Sequence, residues 1–238
     1  MKRVVIPELL DADAGTRAEV EASLADLRMV NRWFGGARVM CRLIERVARA
    51  TGAKELSMLD VAAATGDIAY TAQQKLAQSG IRLRVTLLDR ATSHFGRHPD
   101  ERRPDGRLYE TGLLRVAGDA LSLPFADASF DVVGCSLFAH HLEPEQIVGF
   151  AGEGLRVARR AVLINDLRRH PVHLALTYAG RALYRSRLTS HDGPVSIRRA
   201  YTVEEMREML TRTPAARVEI SHYYLYRMGV IAWRKETP

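Results

Sequence analysis

Cysteine is scarce, with only Cys41 and Cys135 in 238 residues. Two thiols give no disulfide framework, so a reducing cytosol is the simplest setting, and stability must come from an apolar core, which this length can supply. No apolar run is long enough to span a bilayer. The start, Met1-Lys2-Arg3-Val4-Val5-Ile6-Pro7-Glu8, is basic but lacks the sustained apolar stretch of a signal peptide. There is no Gly-x-Ser-x-Gly elbow to suggest a Ser-His-Asp hydrolase. His170-Pro171-Val172-His173 is a bare pair that no further Cys/His/Asp set joins at metal-ligand spacing, so no metal is expected. Internal repeats, low-complexity tracts and linkers are also missing, which makes residues 1–238 a single domain.

The charge is lopsided, with 35 Lys and Arg against 28 Asp and Glu, a net +7. No basic run is interleaved with aromatics, so the excess reads as an Arg-rich solvated surface, and no nucleic-acid partner is expected.

Periodicity supplies the organisation. Val20, Leu24, Leu27 and Val30 recur at helical spacing within 15–50, and Gly35-Gly36 breaks the run before a second helix at about 37–50. Apolar strands follow at 56–61, 81–89, 113–117, 130–137 and 160–166, with helices at about 66–79 and 144–158 between them. Repeated β-α-β with apolar strands predicts an α/β, doubly wound, mostly parallel sheet covered on both faces. Segment 97–107 reads as a charged surface loop. Residues 171–186 read as an extra helix with Pro171 in its first turn, and His191-Asp192-Gly193-Pro194 as a turn. Thr202-Val203-Glu204-Glu205 is a capping box, and 216–234 reads as two strands joined near Tyr226-Arg227, a terminal antiparallel hairpin at a sheet edge.

Four strand ends carry chemistry. The first strand delivers Asp60 to a run of small residues, Ala62-Ala63-Ala64-Thr65-Gly66, ahead of a helix. Small residues there let backbone N–H groups approach a ligand at the helix N-terminus. The second strand ends in Asp89-Arg90, and a carboxylate at that place can accept both hydroxyl protons of a ribose. The third leads into Gly118-Asp119-Ala120, where Asp119 can accept from an adenine amino group and the Ala120 N–H can donate to a ring nitrogen. The fourth ends at Ser136, before Leu137-Phe138-Ala139-His140-His141. In an open α/β sheet these strand ends converge on one crevice.

Leu59-Asp60-Val61 with Thr65-Gly66-Asp67, then Asp89, Gly118-Asp119-Ala120, Leu123-Pro124-Phe125 and Ser129-Phe130-Asp131-Val132-Val133 resemble the class I S-adenosylmethionine (SAM)-dependent methyltransferases, from about Leu56 to Asp166. The resemblance implies a seven-stranded sheet whose last strand is antiparallel, with SAM as cofactor. It also implies a division into an N-terminal helical cap (1–52), a SAM-binding core (53–166), a substrate lid (167–200) and a C-terminal helix and hairpin (201–238). Met29-Val30-Asn31-Arg32 and the first turn look like the quinone C-methyltransferases. Ser136 to Leu142, Asn165-Asp166-Leu167-Arg168-Arg169 and Ser186 to Pro194 look like bacterial tailoring methyltransferases of hydroxylated aromatic or polyketide-like products. The family pattern has glycine where this chain has Ala62 and Ala64. The exchange is harmless if φ is negative there and Cβ points away; otherwise it weakens SAM binding or marks a fold used without transfer.

The implied cofactor-binding set is Arg32, Asp60, Ala62, Ala64, Gly66, Asp89, Arg90, Asp119, Ala120 and Ser136, with Arg32 reaching the SAM carboxylate from the cap and Trp33 and Phe34 closing over it. A phenol titrates near 10 and a histidine near 6.5, a gap of about 5 kcal/mol, so a lone His base would pull uphill. A His with a partner, or a cation that stabilises phenolate, closes much of it. The catalytic candidates are therefore His140 and His141, which otherwise shape the cofactor loop; His191 beside Asp192; and Asp166, which otherwise orients Arg168 or Arg169. Arg168, Arg169, Arg181, Arg185, Arg187, Arg198 and Arg199 crowd the lid, either to hold an anion or as a solvated face. Val172, Leu176, Tyr178, Ala179 and Leu183 would cover a greasy substrate or simply pack.

The resemblance makes the expected substrate a small, apolar molecule with a hydroxyl, aromatic or polyketide-like, with O-methylation slightly favoured over C-methylation of a quinol-type ring. A homodimer is compatible with this reading. A non-methylating cyclase or binding module on the same fold is the alternative that Ala62 and Ala64 support. A nucleic-acid methyltransferase lacks the Asn/Asp-Pro-Pro-aromatic word after the fourth strand. A cytoplasmic location goes with this expectation.

Overall fold

The computed structural model describes residues 1–11, 14–90 and 113–235. The charged segment 97–107 lies outside them. Thr16 opens α1 (Arg17–Trp33) with a capping box, its side chain accepting from the Glu19 amide while Glu19 reaches back. Gly35, at φ +80°, separates α1 from α2 (Gly36–Thr51), whose Val39, Met40, Leu43, Ile44 and Val47 form one buried stripe. Alternation then runs β1 (Glu55–Val61), α3 (Asp67–Gln78), β2 (Arg82–Asp89), β3 (Leu114–Ala117), β4 (Phe130–Ser136), α4 (Pro144–Val157) and β5 (Ala158–Leu167). After it come α5 (Pro171–Ala179), α6 (Arg187–Arg199), α7 (Val203–Thr211), β6 (Arg217–Tyr223) and β7 (Arg227–Trp233).

The seven strands are ordered β3-β2-β1-β4-β5-β7-β6. The pairs up to β5 are parallel, and β7 enters antiparallel between β5 and β6. This is the seven-stranded α/β architecture expected from the sequence, with the terminal hairpin at one edge. Two apolar cores sandwich the sheet. In β1, Leu56 and Met58 face the α2 and α3 side, while Leu59 and Val61 face the α4 and α7 side, the two-residue alternation of a strand buried on both faces. Cys41 and Cys135 are buried free thiols.

The lid differs from its expected outline. Helix α5 ends at Ala179, and a 3-10 turn, Gly180–Leu183, follows. His191-Asp192-Gly193-Pro194 is no turn but the middle of α6. The Ser186 side chain caps that helix by accepting from the Leu188 amide, and Leu188, Val195 and Ile197 are buried. That burial outweighs the amide lost at Pro194. The two helices pack closely at Gly193, where a Cβ would sit 3.1 Å from Thr177 Cγ2 on α5.

Candidate active site

The order of connection reverses at β1, which has β2 on one side and β4 on the other, and a doubly wound sheet opens a crevice at that point. A cavity of about 670 Å³ lies there. Asp60, Ala62, Ala64, Asp89, Arg90, Asp119, Ala120 and Ser136 all line it, as do His140 and His141.

The first turn answers the question its alanines pose. Ala62 has φ +53° and Ala64 φ +47°, so the condition under which they would be harmless is not met. Both hold the left-handed conformation natural to glycine, at roughly 1–2 kcal/mol each. Hydrogen bonds hold the turn in this shape: Ala63 N–H donates to Leu88 O at 3.1 Å, Gly66 N–H to Ala63 O at 2.8 Å, and Ala64 N–H to Asp89 Oδ2 at 2.8 Å. Leu137, at φ +54°, is a third such residue on the cavity wall. Backbone strain of this kind concentrates where ligands bind. Gly66 does not line the cavity. It caps α3 at φ +75°, where a Cβ would come within 2.6 Å of Leu87 Cδ1.

The carboxylates are arranged for a ligand. Asp60 is 3% exposed, and its Oδ1 has no hydrogen-bond partner. Burial, with repulsion from Asp67 and Asp89, pushes its carboxyl up to about 8. A buried, unpaired carboxylate oxygen beside a cavity fits a donor brought by a ligand. Asp119 Oδ1 accepts from its neighbour Leu121 N–H at 2.8 Å, which orients the side chain at the cavity rim. Ser136 Oγ accepts from Asn165 Nδ2 at 3.1 Å.

The cavity wall also includes two histidines in a 3-10 turn, Ala139–His141. His140 Nδ1 lies 2.7 Å from Asp166 Oδ1, and the His140 backbone N–H donates to Asp166 Oδ2 at 3.0 Å. Burial pulls the His140 imidazole down, but Asp166 and Glu8 outweigh it and raise it to about 10. His141 Nδ1 lies 2.7 Å from Asp11 Oδ2. Asp166 does not line the cavity; it orients His140, and neither Arg168 nor Arg169 is its partner. Arg169 pairs with Glu205 and donates to Ala200 O, while Arg168 meets His222.

Several expected positions need correction. Arg32 is exposed and does not line the cavity; Asn31 does, because α1 turns Leu24, Leu27, Val30 and Asn31 inward and the next residue lies about 100° around the helix. Trp33 is 74% exposed. His191 is half-exposed and also lies off the cavity, hydrogen-bonded through Nδ1 to Asp192 Oδ1 at 2.8 Å. Of the lid arginines only Arg199 lines the cavity, donating to His141 O at 2.7 Å. Val172, Leu176, Tyr178 and Leu183 are exposed rather than folded over it, whereas His173 and Thr177 of α5 do line it. Burial, followed by neighbouring Arg227, His170 and Arg168, lowers His173 to about 4, despite a bond to Arg168 O.

The sequence reading missed the N-terminal strap. Residues 1–8 form no helix or strand, so no periodicity marks them. Asp192 accepts from the Leu9 and Leu10 amides at 2.8 and 3.0 Å, and Val4 N–H donates to Arg198 O at 3.1 Å. The strap thereby brings Glu8, Leu10 and Asp11 to the cavity wall.

Residues 59–162 match the family model of a methyltransferase domain. A demethylmenaquinone methyltransferase from Beutenbergia cavernae is 39% identical over 102 residues, 43% of this chain and 36% of that relative, so the chain spans about a third of its length. Among solved structures, an O-methyltransferase family 2 protein from Planctomyces limnophilus, in complex with apigenin, superposes with a TM-score of 0.59 at 17% identity, covering 94% of this chain and 63% of that one. The magnesium protoporphyrin IX methyltransferase from Synechocystis with bound SAH gives 0.56 at 16% identity, covering 86% and 85%. A SAM-dependent methyltransferase from Aquifex aeolicus gives 0.54 at 18%, covering 79% and 88%. At these identities the likeness is one of fold.

Proposed function

We infer that this chain, which carries a class I SAM-dependent methyltransferase domain, transfers a methyl group from SAM to a small, largely apolar molecule bearing a hydroxyl, on an aromatic or polyketide-like frame, with O-methylation favoured over C-methylation. The observation that carries this reading is the continuity of the cavity. Asp60, Asp89 and Asp119 line the same cavity as Leu10, Leu24, Leu27, Val30, Tyr184 and the paired histidines. About 670 Å³ falls within the size of small-ligand sites.

The residues present fit the cofactor. Asp89 would hold the ribose hydroxyls, Asp119 and Ala120 the adenine edge, and the orphaned Asp60 Oδ1 a cationic or N–H donor. SAM, when bound, supplies an electrophilic methyl on a sulfonium. The protein must align a nucleophile with it, exclude water and manage one proton. His141, with Asp11 behind its Nδ1, is the group placed to take a proton from a substrate hydroxyl. His140, fixed by Asp166 and facing Glu8, brings positive charge to the same wall and so narrows the phenol–imidazole gap. Asp166 is a positioning residue. Beyond the domain, the apigenin bound to one fold relative supports a hydroxylated aromatic substrate. The demethylmenaquinone methyltransferase likeness favours ring carbon as the second reading.

The test is incubation with methyl-labelled SAM and a panel of simple phenols and hydroxyquinones, with products read by mass spectrometry. A labelled methyl on oxygen supports the reading. A label on ring carbon moves it to C-methylation. No labelled product from any member counts against methyl transfer to this class.

A further inference from the structure

Glu8, His140 and His141 approach one another within the cavity wall. Each imidazole has one nitrogen anchored on a carboxylate, with His140 Nδ1 and His141 Nδ1 each 2.7 Å from Asp166 and Asp11. Their other nitrogens both turn toward Glu8. His140 Nε2 is 3.6 Å from Glu8 Oε1 and His141 Nε2 is 3.9 Å from Glu8 Oε2. The outer contacts are tight hydrogen bonds, while the inner ones are too long for that. They suit ligands that share an ion instead. Donors about 2.1 Å from a tetrahedral centre stand roughly 3.4 Å apart.

We propose that Glu8, His140 Nε2 and His141 Nε2 form a site for a divalent transition-metal ion of the zinc class, with its remaining position open to the cavity. The supporting shell is already in place. Carboxylates on both Nδ1 atoms set the tautomer that leaves Nε2 free to ligate. Ser196 Oγ donates to Glu8 Oε1 at 2.9 Å and fixes that carboxylate. Three carboxylates surround the two imidazoles, and a divalent ion brings the compensating charge. Arg199, 3.9 Å from Asp11, is the nearby cation that works against it. Two imidazoles and one carboxylate with an open position are the donor set of catalytic rather than structural zinc. A bound ion would take the Nε2 lone pair that otherwise makes His141 a base and would displace the Nε2 proton of His140, so a substrate hydroxyl at the open position would be acidified by the ion in place of the histidine, a clause that rests on the function proposed above; the metal site itself does not.

The test uses full-length protein stripped with a chelator and titrated with Zn²⁺, then Co²⁺, without SAM or substrate. One equivalent of Zn²⁺ should bind at micromolar metal or tighter. Co²⁺ should give visible bands of low-symmetry coordination with no thiolate charge-transfer band, since both cysteines are buried. Glu8→Gln and His141→Ala should each lower affinity at least about 100-fold, and Asp11→Asn about 10- to 100-fold. No saturable binding, or wild-type affinity in both Glu8→Gln and His141→Ala, overturns the site. If a variant does not fold, X-ray absorption at the zinc edge of the wild-type protein decides. Two imidazoles with oxygen support the site, and a sulfur or all-oxygen shell overturns it. Binding of S-adenosylhomocysteine, measured separately, shows whether the methyltransferase reading stands.

Discussion

The Ala64 amide donates to Asp89 Oδ2 at 2.8 Å, which ties the turn between β1 and α3 to the carboxylate at the end of β2. The bond holds a left-handed alanine in place and turns the Asp89 side chain toward the cavity it lines.

Asp89→Ala removes both the proposed ribose contact and the anchor of the turn. Hydrogen bonds to a charged group are worth about 1.5–3 kcal/mol, so S-adenosylhomocysteine affinity should fall roughly 10- to 100-fold by calorimetry. Asp89→Ala with wild-type affinity would remove the contact.

Asp60 gives the ligand-free protein a pH dependence. Its folded carboxyl titrates at about 8 and an unfolded one near 3.9, so between these values the folded state holds the extra proton. Stability from this group is therefore full below about 4 and is lost as pH rises toward 8. Thermal unfolding across pH 5 to 8 should show a steeper decline in wild type than in Asp60→Asn; equal slopes would contradict it.

His141→Ala should cost about 10²- to 10⁴-fold in turnover, with S-adenosylhomocysteine affinity changed no more than severalfold. Single-turnover rates and calorimetry on the same sample separate the two. Near-normal turnover would take His141 out of the chemistry.

Asp192→Ala leaves the Leu9 and Leu10 amides without their acceptor. Losing such partners costs about 1–3 kcal/mol, and the strap rather than the core should loosen. Hydrogen exchange should rise over residues 1–11 and stay flat in β1 and β4. Unchanged exchange in the strap would contradict its anchoring at Asp192.

Much of this was legible in the residues. Apolar strands that alternate with helices specify a parallel sheet, and Asp60, Asp89 and Asp119 announce themselves because each lies at or just past the end of a strand. The turn misread at 191–194 shows the limit. Asp-Gly-Pro is a local signal, and the burial of Leu188, Val195 and Ile197 that overrules it is tertiary. Arg32 failed by helix phase, since one residue's shift moves a side chain from wall to solvent. The Glu8 cluster was unreadable for a different reason. Its ligands lie at opposite ends of a fold step, and an irregular strap has no period to reveal which side chain it delivers.

S-Adenosylhomocysteine titrated into the ligand-free protein by calorimetry tests most directly whether this alanine-built turn admits the cofactor. The expected result is saturable one-to-one binding that Asp89→Ala weakens. No heat at millimolar ligand would contradict it.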